Sequence, residues 1–257
     1  MKLHRVYYKE FSRTDKISID NKSKINHLRN VLRLKEGSKL DVFDGEGNSS
    51  ICKIVSLEKK KIVLEQIGDI EFQQPERINL KVLMPYIKKE NLFFAIQKVT
   101  EIGVSNISLF RPDNVDQSIS KKDLSKINEK ALSIITQACE QNGSNIVPDF
   151  QIYEDLSSAI DHDSFSIFFD LDATNDFQSI KNFEDSITLI TGPESGFSKK
   201  EREFLNATAS DNISLGKNIL RAETAPITAL SVIKLSLIHI SEPTRLRRIS
   251  YAVFCLK

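Results

Sequence analysis

TLITGPESGFSKKEREFLNATASDNISLGKNILRAETAPITAL, residues 188–230, decides how this chain is read. It holds two glycine-bearing loops, Gly192–Phe197 (GPESGF) and Leu215–Arg221 (LGKNILR). Each follows a short β-branched run and precedes a helical pattern. Such loops fall at the carboxyl ends of neighbouring strands, where open α/β sheets bind ligands. Ser198-Lys199-Lys200-Glu201 has the spacing of a capping box and predicts a helix over Glu201–Asn206. A further strand is expected at Ile213-Ser214-Leu215, and a closing helix over Thr224–Leu235 with Pro226 in its first turn. Glu194 is the strongly polar side chain of the first loop, and Arg221, Glu223 and Thr224 cluster after the second. A ligand-free strand-to-helix turn would carry the same glycines, and Arg-x-Glu is also a common surface ion pair.

Working outward, short apolar runs at Ile78–Met84, Asn106–Phe110, Ile167–Asp170 and Ile187–Ile190 read as buried parallel strands. Helical periodicity covers Asn91–Ile102, with Phe94, Ile96, Val99 and Ile102 as core positions and Gly103 as the stop. A second helix is expected from about Lys122 to Gln141. Strand and helix alternate, so residues 73–237 form an α/β domain on a mainly parallel sheet. The polar stretch 66–77 marks the boundary with residues 1–72, which are β-rich. Strands are expected at Val6–Tyr8, Ser38–Phe43, Ser50–Val55 and Lys61–Glu65, with a hairpin at Asp44-Gly45 and Gly47-Asn48. Within this domain Lys24–Leu34 has helical spacing that turns Ile25, Leu28, Val31 and Leu32 inward. Arg29 and Arg33, four apart, then share one helical edge and offer two forked donors suited to phosphate. The alternative is arginine stems lying over apolar neighbours. Residues 238–257 have no place in the sheet pattern and read either as a basic tail or as a segment foreign to the functional unit.

Charge is segregated along the chain. Residues 1–40 carry 11 Lys/Arg against 4 Asp/Glu, whereas residues 73–237 carry 17 against 23. A basic end on a mildly acidic body suggests that the first segment meets a polyanion, or else presents a solvated lysine-rich face. Cys52, Cys139 and Cys255 lack metal-ligand spacing and fit a reducing, cytoplasmic setting. The four histidines are scattered, so no metal site is expected, and no run is long enough to span a membrane. A Gly-Lys-Ser/Thr loop, a G-x-G-x-x-G fingerprint and a serine elbow are all absent, which argues against P-loop, dinucleotide and hydrolase chemistry.

Five blocks in order, HLRNVLRLKEGSKLDVFDGEG (27–47), KVTEIGV (98–104), QACEQNG (137–143), ITGPESGF (190–197) and ISLGKNILRAETA (213–225), closely resemble the ribosomal RNA small subunit methyltransferase E family. The resemblance implies a PUA-like β-barrel over 1–72 and a SPOUT domain with a deep trefoil knot over 73–237. It also implies a homodimer, S-adenosyl-L-methionine as methyl donor, and methylation of N3 of one uridine in small-subunit (16S) rRNA. Carried onto matching positions, the cofactor would be walled by Thr191, Gly192, Pro193, Glu194, Gly196, Leu215, Gly216, Ile219 and Leu220. Arg221 would stabilise charge on the base, with Glu223 or Glu194 taking the proton or orienting the arginine. Lys24, Arg29 and Arg33 would grip the RNA. Ser195, Ser144 and a position near Gln117 depart from the family pattern, the last two where arginine is usual. Two readings stay open beside this one: a SPOUT enzyme acting on another RNA position, and a non-catalytic RNA-binding homologue.

Overall fold

A computed structural model describes residues 3–11, 16–114, 124–175, 177 and 184–241. The strands are β1 (His4–Tyr7), β2 (Lys16–Ile19), β3 (Lys39–Phe43), β4 (Asn48–Leu57), β5 (Ile62–Gln66), β6 (Glu71–Phe72), β7 (Asn79–Pro85), β8 (Asn106–Phe110), β9 (Asp149–Tyr153), β10 (Phe165–Phe169), β11 (Ser186–Ile190) and β12 (Asp211–Ile213). The helices are α1 (Lys22–Asn26), α2 (Lys89–Ile102), α3 (Leu124–Asn142), α4 (Leu156–Ala159), α5 (Lys199–Thr208) and α6 (Thr224–Ser241). They fall into two compact units, one built from Met1–Asn79, Ser105–Ile107 and Asp123–Gln151, the other from Leu80–Val104, Ser108–Lys122 and Ile152 onward.

In the first unit the strands run β1-β3-β4-β5-β2, with β6 added to β4. Strict alternation fixes the register. Leu40 and Val42 of β3, Cys52 and Ile54 of β4, and Ile62 and Leu64 of β5 point inward and are fully buried, while Ile51, Lys53 and Val55 of β4 face out. Phe11, Ile17, Ile25 and Leu28 close this core. The hairpin expected at residues 44–48 joins β3 to β4, closed by Asp44 N donating to Asn48 O at 3.1 Å. The strands β2 and β6 were missing from the sequence reading, being four and two residues long.

The helix expected over Lys24–Leu34 needs correction. It starts properly, with Asn21 Oδ1 accepting from the amides of Ser23 and Lys24. After Asn26 the turn widens: Leu32 N donates to His27 O, five residues back, and Leu34 N to Leu28 O. The wider turn shifts the apolar spacing, so Ile25 and Leu28 stay buried while Val31 is 61 % exposed. Arg33 lies beyond the helix at φ 51°, so it shares no helical edge with Arg29.

Arg5 organises the rest of this unit. Its Nε donates to Asp41 Oδ2 at 2.8 Å, and its Nη1 to the carbonyls of Cys139 and Ser144 at 3.1 and 3.3 Å. Its Nη2 donates to Asn145 Oδ1, and the guanidinium lies 4.5 Å from the Phe43 ring centre. Thus one cation satisfies carbonyls at the end of α3, which packs on β1. Glu140 adds to the bond, accepting from Tyr7 N at 3.0 Å.

The second sheet runs β12-β10-β11-β7-β8-β9, with β10 paired in parallel to both β11 and β12. In α2, Leu92, Ala95, Ile96 and Val99 are buried and Gly103 ends the helix at φ 98°. Phe94, expected in the core, is instead 48 % exposed, and Ile102 is only half-buried. The buried stripe passes through Leu92, Ala95, Ile96 and Val99, and position 94 falls on its far side. The strand expected at 213–215 lies two residues earlier, as β12, and β9 and α4 were not foreseen. Lys122, where the long helix was expected to begin, Gln117 and most of the 238–257 segment lie outside the described residues.

Replacing Arg5 by Met should cost about 2–4 kcal/mol, because Asp41 and three carbonyl-type acceptors lose their donor at once. Urea unfolding should show the midpoint falling with an unchanged slope.

Candidate functional site

Parallel pairing aligns the carboxyl ends of β10, β11 and β12 along one edge. From these ends issue Asp170–Asp172, Thr191–Phe197 and Ser214–Arg221, and together they enclose a cleft of about 310 Å³. That volume lies at the lower end of small-ligand sites. All nine residues that the resemblance assigned to a cofactor wall line it, together with Phe169, Leu171, Phe197 and Ala222.

The β11 loop is a self-supporting turn. Gly196 N donates to Pro193 O at 2.9 Å, and Thr191 N donates to Leu83 O of β7 at 3.1 Å. A Cβ on Gly192 would sit 3.1 Å from the Phe197 ring, so that glycine lets the loop fold over its own aromatic residue. Phe197 is buried and meets Phe168 edge-on at 6.1 Å. In the β12 loop, Gly216 takes φ 126°, a conformation that excludes other residues without strain. Ser214 Oγ donates to Gly216 O at 3.2 Å, and Ser214 N to Asn175 O at 3.0 Å.

The predicted capping box is present: Glu201 N donates to Ser198 Oγ at 3.0 Å, and Ser198 N to Glu201 Oε2 at 2.8 Å. One residue on, Arg202 Nη1 bonds Asp170 Oδ2 at 3.0 Å and Asp172 Oδ2 at 2.6 Å. The Asp170 side chain is only 6 % exposed. Sequence reading passed over this acidic pair and its arginine. The available signal was Asp170 closing the apolar run Phe165–Phe169, since an acid directly after a buried strand sits at a sheet edge.

Thr191 Oγ1, on the cleft wall, is buried without a hydrogen-bond partner among the described residues, and so is Glu223 Oε2, whose residue, like Arg221, does not line the cleft. Thr191 is fully buried on the cleft wall. Such orphans mark places where a ligand can supply the missing bond. Glu223 Oε1 lies 3.9 Å from Arg221 Nη1, and the Arg221 side chain is 83 % exposed. Its carbonyl accepts from Thr224 N and Ala225 N, which fixes the residue at the start of α6. Arg221 and Glu223 therefore form a pair with one free end in solvent and one buried, while Glu194 is exposed in the β11 loop.

The residues expected to grip a polyanion divide. Arg29 and Arg33 are exposed. Lys24 is not free: its Nζ donates to Tyr7 O and lies 5.0 Å from the Tyr7 ring, and burial holds its pKa below the usual lysine value.

Replacing Arg202 by Ala leaves the Asp170 carboxylate buried without its partner and should lower stability by about 1–3 kcal/mol. Losing the exposed Asp172 bond should add little. Asp172→Asn in the same urea assay should therefore stay near wild type.

Residues 74–234 match the model of the RNA methyltransferase domain family, and residues 19–67 that of the RNA methyltransferase PUA domain. Among curated relatives, the ribosomal RNA small subunit methyltransferase E of Mesomycoplasma hyopneumoniae is 30% identical, over 80% of this chain and 89% of the relative. The ribosomal RNA small subunit methyltransferase E 2 of Borreliella burgdorferi is 29% identical, over 81% and 87%. Among solved structures, a Legionella pneumophila protein crystallised with the bound cofactor SAM is 25% identical over 92% of this chain and 98% of its own, with a TM-score of 0.82. The fold is thus the mixed α/β SPOUT fold with a PUA-type N-terminal domain, as the sequence implied.

Proposed function

Because this chain belongs to the RNA methyltransferase domain family, we propose that it methylates ribosomal RNA with S-adenosyl-L-methionine as donor, at N3 of a uridine in the small-subunit RNA. The observation that carries the reading is the cleft at the ends of β10, β11 and β12, with the Arg221–Glu223 pair beside it.

The cleft suits this cofactor. Apolar and backbone surfaces from the two glycine loops offer an adenine site, and Thr191 Oγ1 waits there without a partner. Asp170 and Asp172 face one arginine, leaving a net negative charge that favours a ligand carrying ammonium and sulfonium groups. When bound, the cofactor supplies an electrophilic methyl group. The protein must then make N3 nucleophilic, which requires removing a proton that the base holds at neutral pH. Glu223 is the better placed of the two glutamates: it is buried, close to Arg221, and has one carboxylate oxygen unpaired. It takes the proton or orients the arginine. Arg221, exposed and anchored at the start of α6, reaches the uracil carbonyl oxygens, where negative charge builds up as the proton leaves.

The PUA-type unit then holds the RNA, with Arg29 and Arg33 on phosphates and Lys24 serving structure instead. The deep trefoil knot and homodimeric assembly implied by the resemblance belong to the same proposal, as does the cytoplasmic setting read from the cysteines. So does the division at residues 72 and 73.

Arg221→Ala should lower the methylation rate about 100-fold or more while S-adenosylmethionine affinity by calorimetry stays within about twofold. The assay is methyl transfer to small ribosomal subunits lacking the mark, compared with naked rRNA, followed by mapping of the modified atom. Methyl on a ribose oxygen would favour action at another RNA position, and no binding of the donor would favour a non-catalytic RNA binder. RNA affinity should fall with salt, and the double variant Arg29→Ala/Arg33→Ala should flatten the log–log slope by roughly 1–2. An unchanged slope removes those arginines from the interface.

A further inference from the structure

The first turn of α5 does more than start a helix. Glu201, which is buried, uses one carboxylate oxygen to close the capping box on Ser198 N and the other to accept Asp113 N at 3.0 Å. Ser198 Oγ, already accepting from Glu201 N, donates to Asp113 Oδ2 at 2.6 Å. Four bonds thereby close a ring of three residues, one of which comes from 85 positions away in sequence. Asp113 stands three residues after β8, in a loop at the same sheet edge as the cleft. Ser198 directly follows Phe197, the last cleft-lining residue of the β11 loop. Arg202, in the same turn, holds Asp170 and Asp172 of the β10 loop. A single helical turn therefore ties together the loops after β8, β10 and β11.

A capping box needs only its own two partners. The extra bonds to Asp113 do nothing for the helix end that Ser198 and Glu201 do not already do. They act on the position of that end relative to β8. We propose that Asp113 is a positioning residue for the cofactor cleft: by fixing Ser198 and Glu201, it holds the β11 loop in its ligand-ready shape. Pre-setting a loop in this way raises affinity by removing the ordering cost at binding. The part of this concerning the ligand rests on the proposed function. The part concerning the loop does not.

The test uses the full chain as wild type, Asp113→Ala and Asp113→Asn. Asn keeps the backbone donor to Glu201 and a side-chain oxygen able to accept from Ser198, so it should rescue. Hydrogen exchange without ligand should be roughly 3- to 10-fold faster over residues 192–202 in Asp113→Ala than in wild type, with the N-terminal unit unchanged and Asp113→Asn near wild type. S-adenosylmethionine should show a matching rise in Kd of roughly 3- to 10-fold. Unaltered exchange over 192–202 in Asp113→Ala overturns the proposal, as does faster exchange spread evenly over the chain. If wild type binds no S-adenosylmethionine, the proposed function fails, and the exchange data alone decide the role of Asp113.

Discussion

Parallel pairing of β10 with β11 on one side and β12 on the other obliges three strand ends to meet at one edge. Parallel strands need crossovers, so each end must open into a loop rather than a tight hairpin. The edge therefore collects three flexible connections that have to be given shape. Each is shaped differently: the β10 loop by an ion pair to Arg202, the β11 loop by Gly192 folding over Phe197, and the β12 loop by Ser214 bonding around Gly216. The chemistry of the cleft depends on that division. Where the loops are held by their own backbone and apolar atoms, a polar atom of the wall, Thr191 Oγ1, is left for something else.

Much of this was legible because local chemistry and tertiary role coincide. Gly192 and Gly216 announce loops by composition, the Ser198–Glu201 spacing announces a cap, and the apolar runs 167–170 and 187–190 can hardly be anything but buried strands. What escaped notice depends on partners far away in sequence. Asp113 and Ser198 become partners only after β8 and α5 have packed. Arg202 reads as one more charge on a polar helix until the β10 loop reaches it. Lys24 counts as a cation for RNA until Tyr7 captures it. The helix over 24–34 failed for a subtler reason. Periodicity assumes a constant 3.6-residue turn, and one widened turn after Asn26 rotates Val31 out of the core while leaving Ile25 and Leu28 in it. The strands β2 and β9 alternate polar and apolar residues over only four or five positions, and β6 has just two, too few for the alternation to stand out from its surroundings.

Arg5 shows how formal charge misleads. It sits in the most basic stretch of the chain, yet every part of its guanidinium faces a partner inside the fold. With Lys24 it is withdrawn from the field that the first forty residues project. The positive charge left exposed in this stretch is thus less than the sequence count suggests, Arg29 and Arg33 among it.

Phe197 belongs at once to the cleft wall and to the apolar core that contains Phe168, Ile190 and Leu205. The ring is under the loop, against a strand and beside the ligand space. The Phe197 end of the β11 loop is therefore fixed when the core consolidates, during folding, rather than when a ligand arrives. A small molecule entering this cleft meets, at Phe197, a stretch of wall that was ordered together with the core.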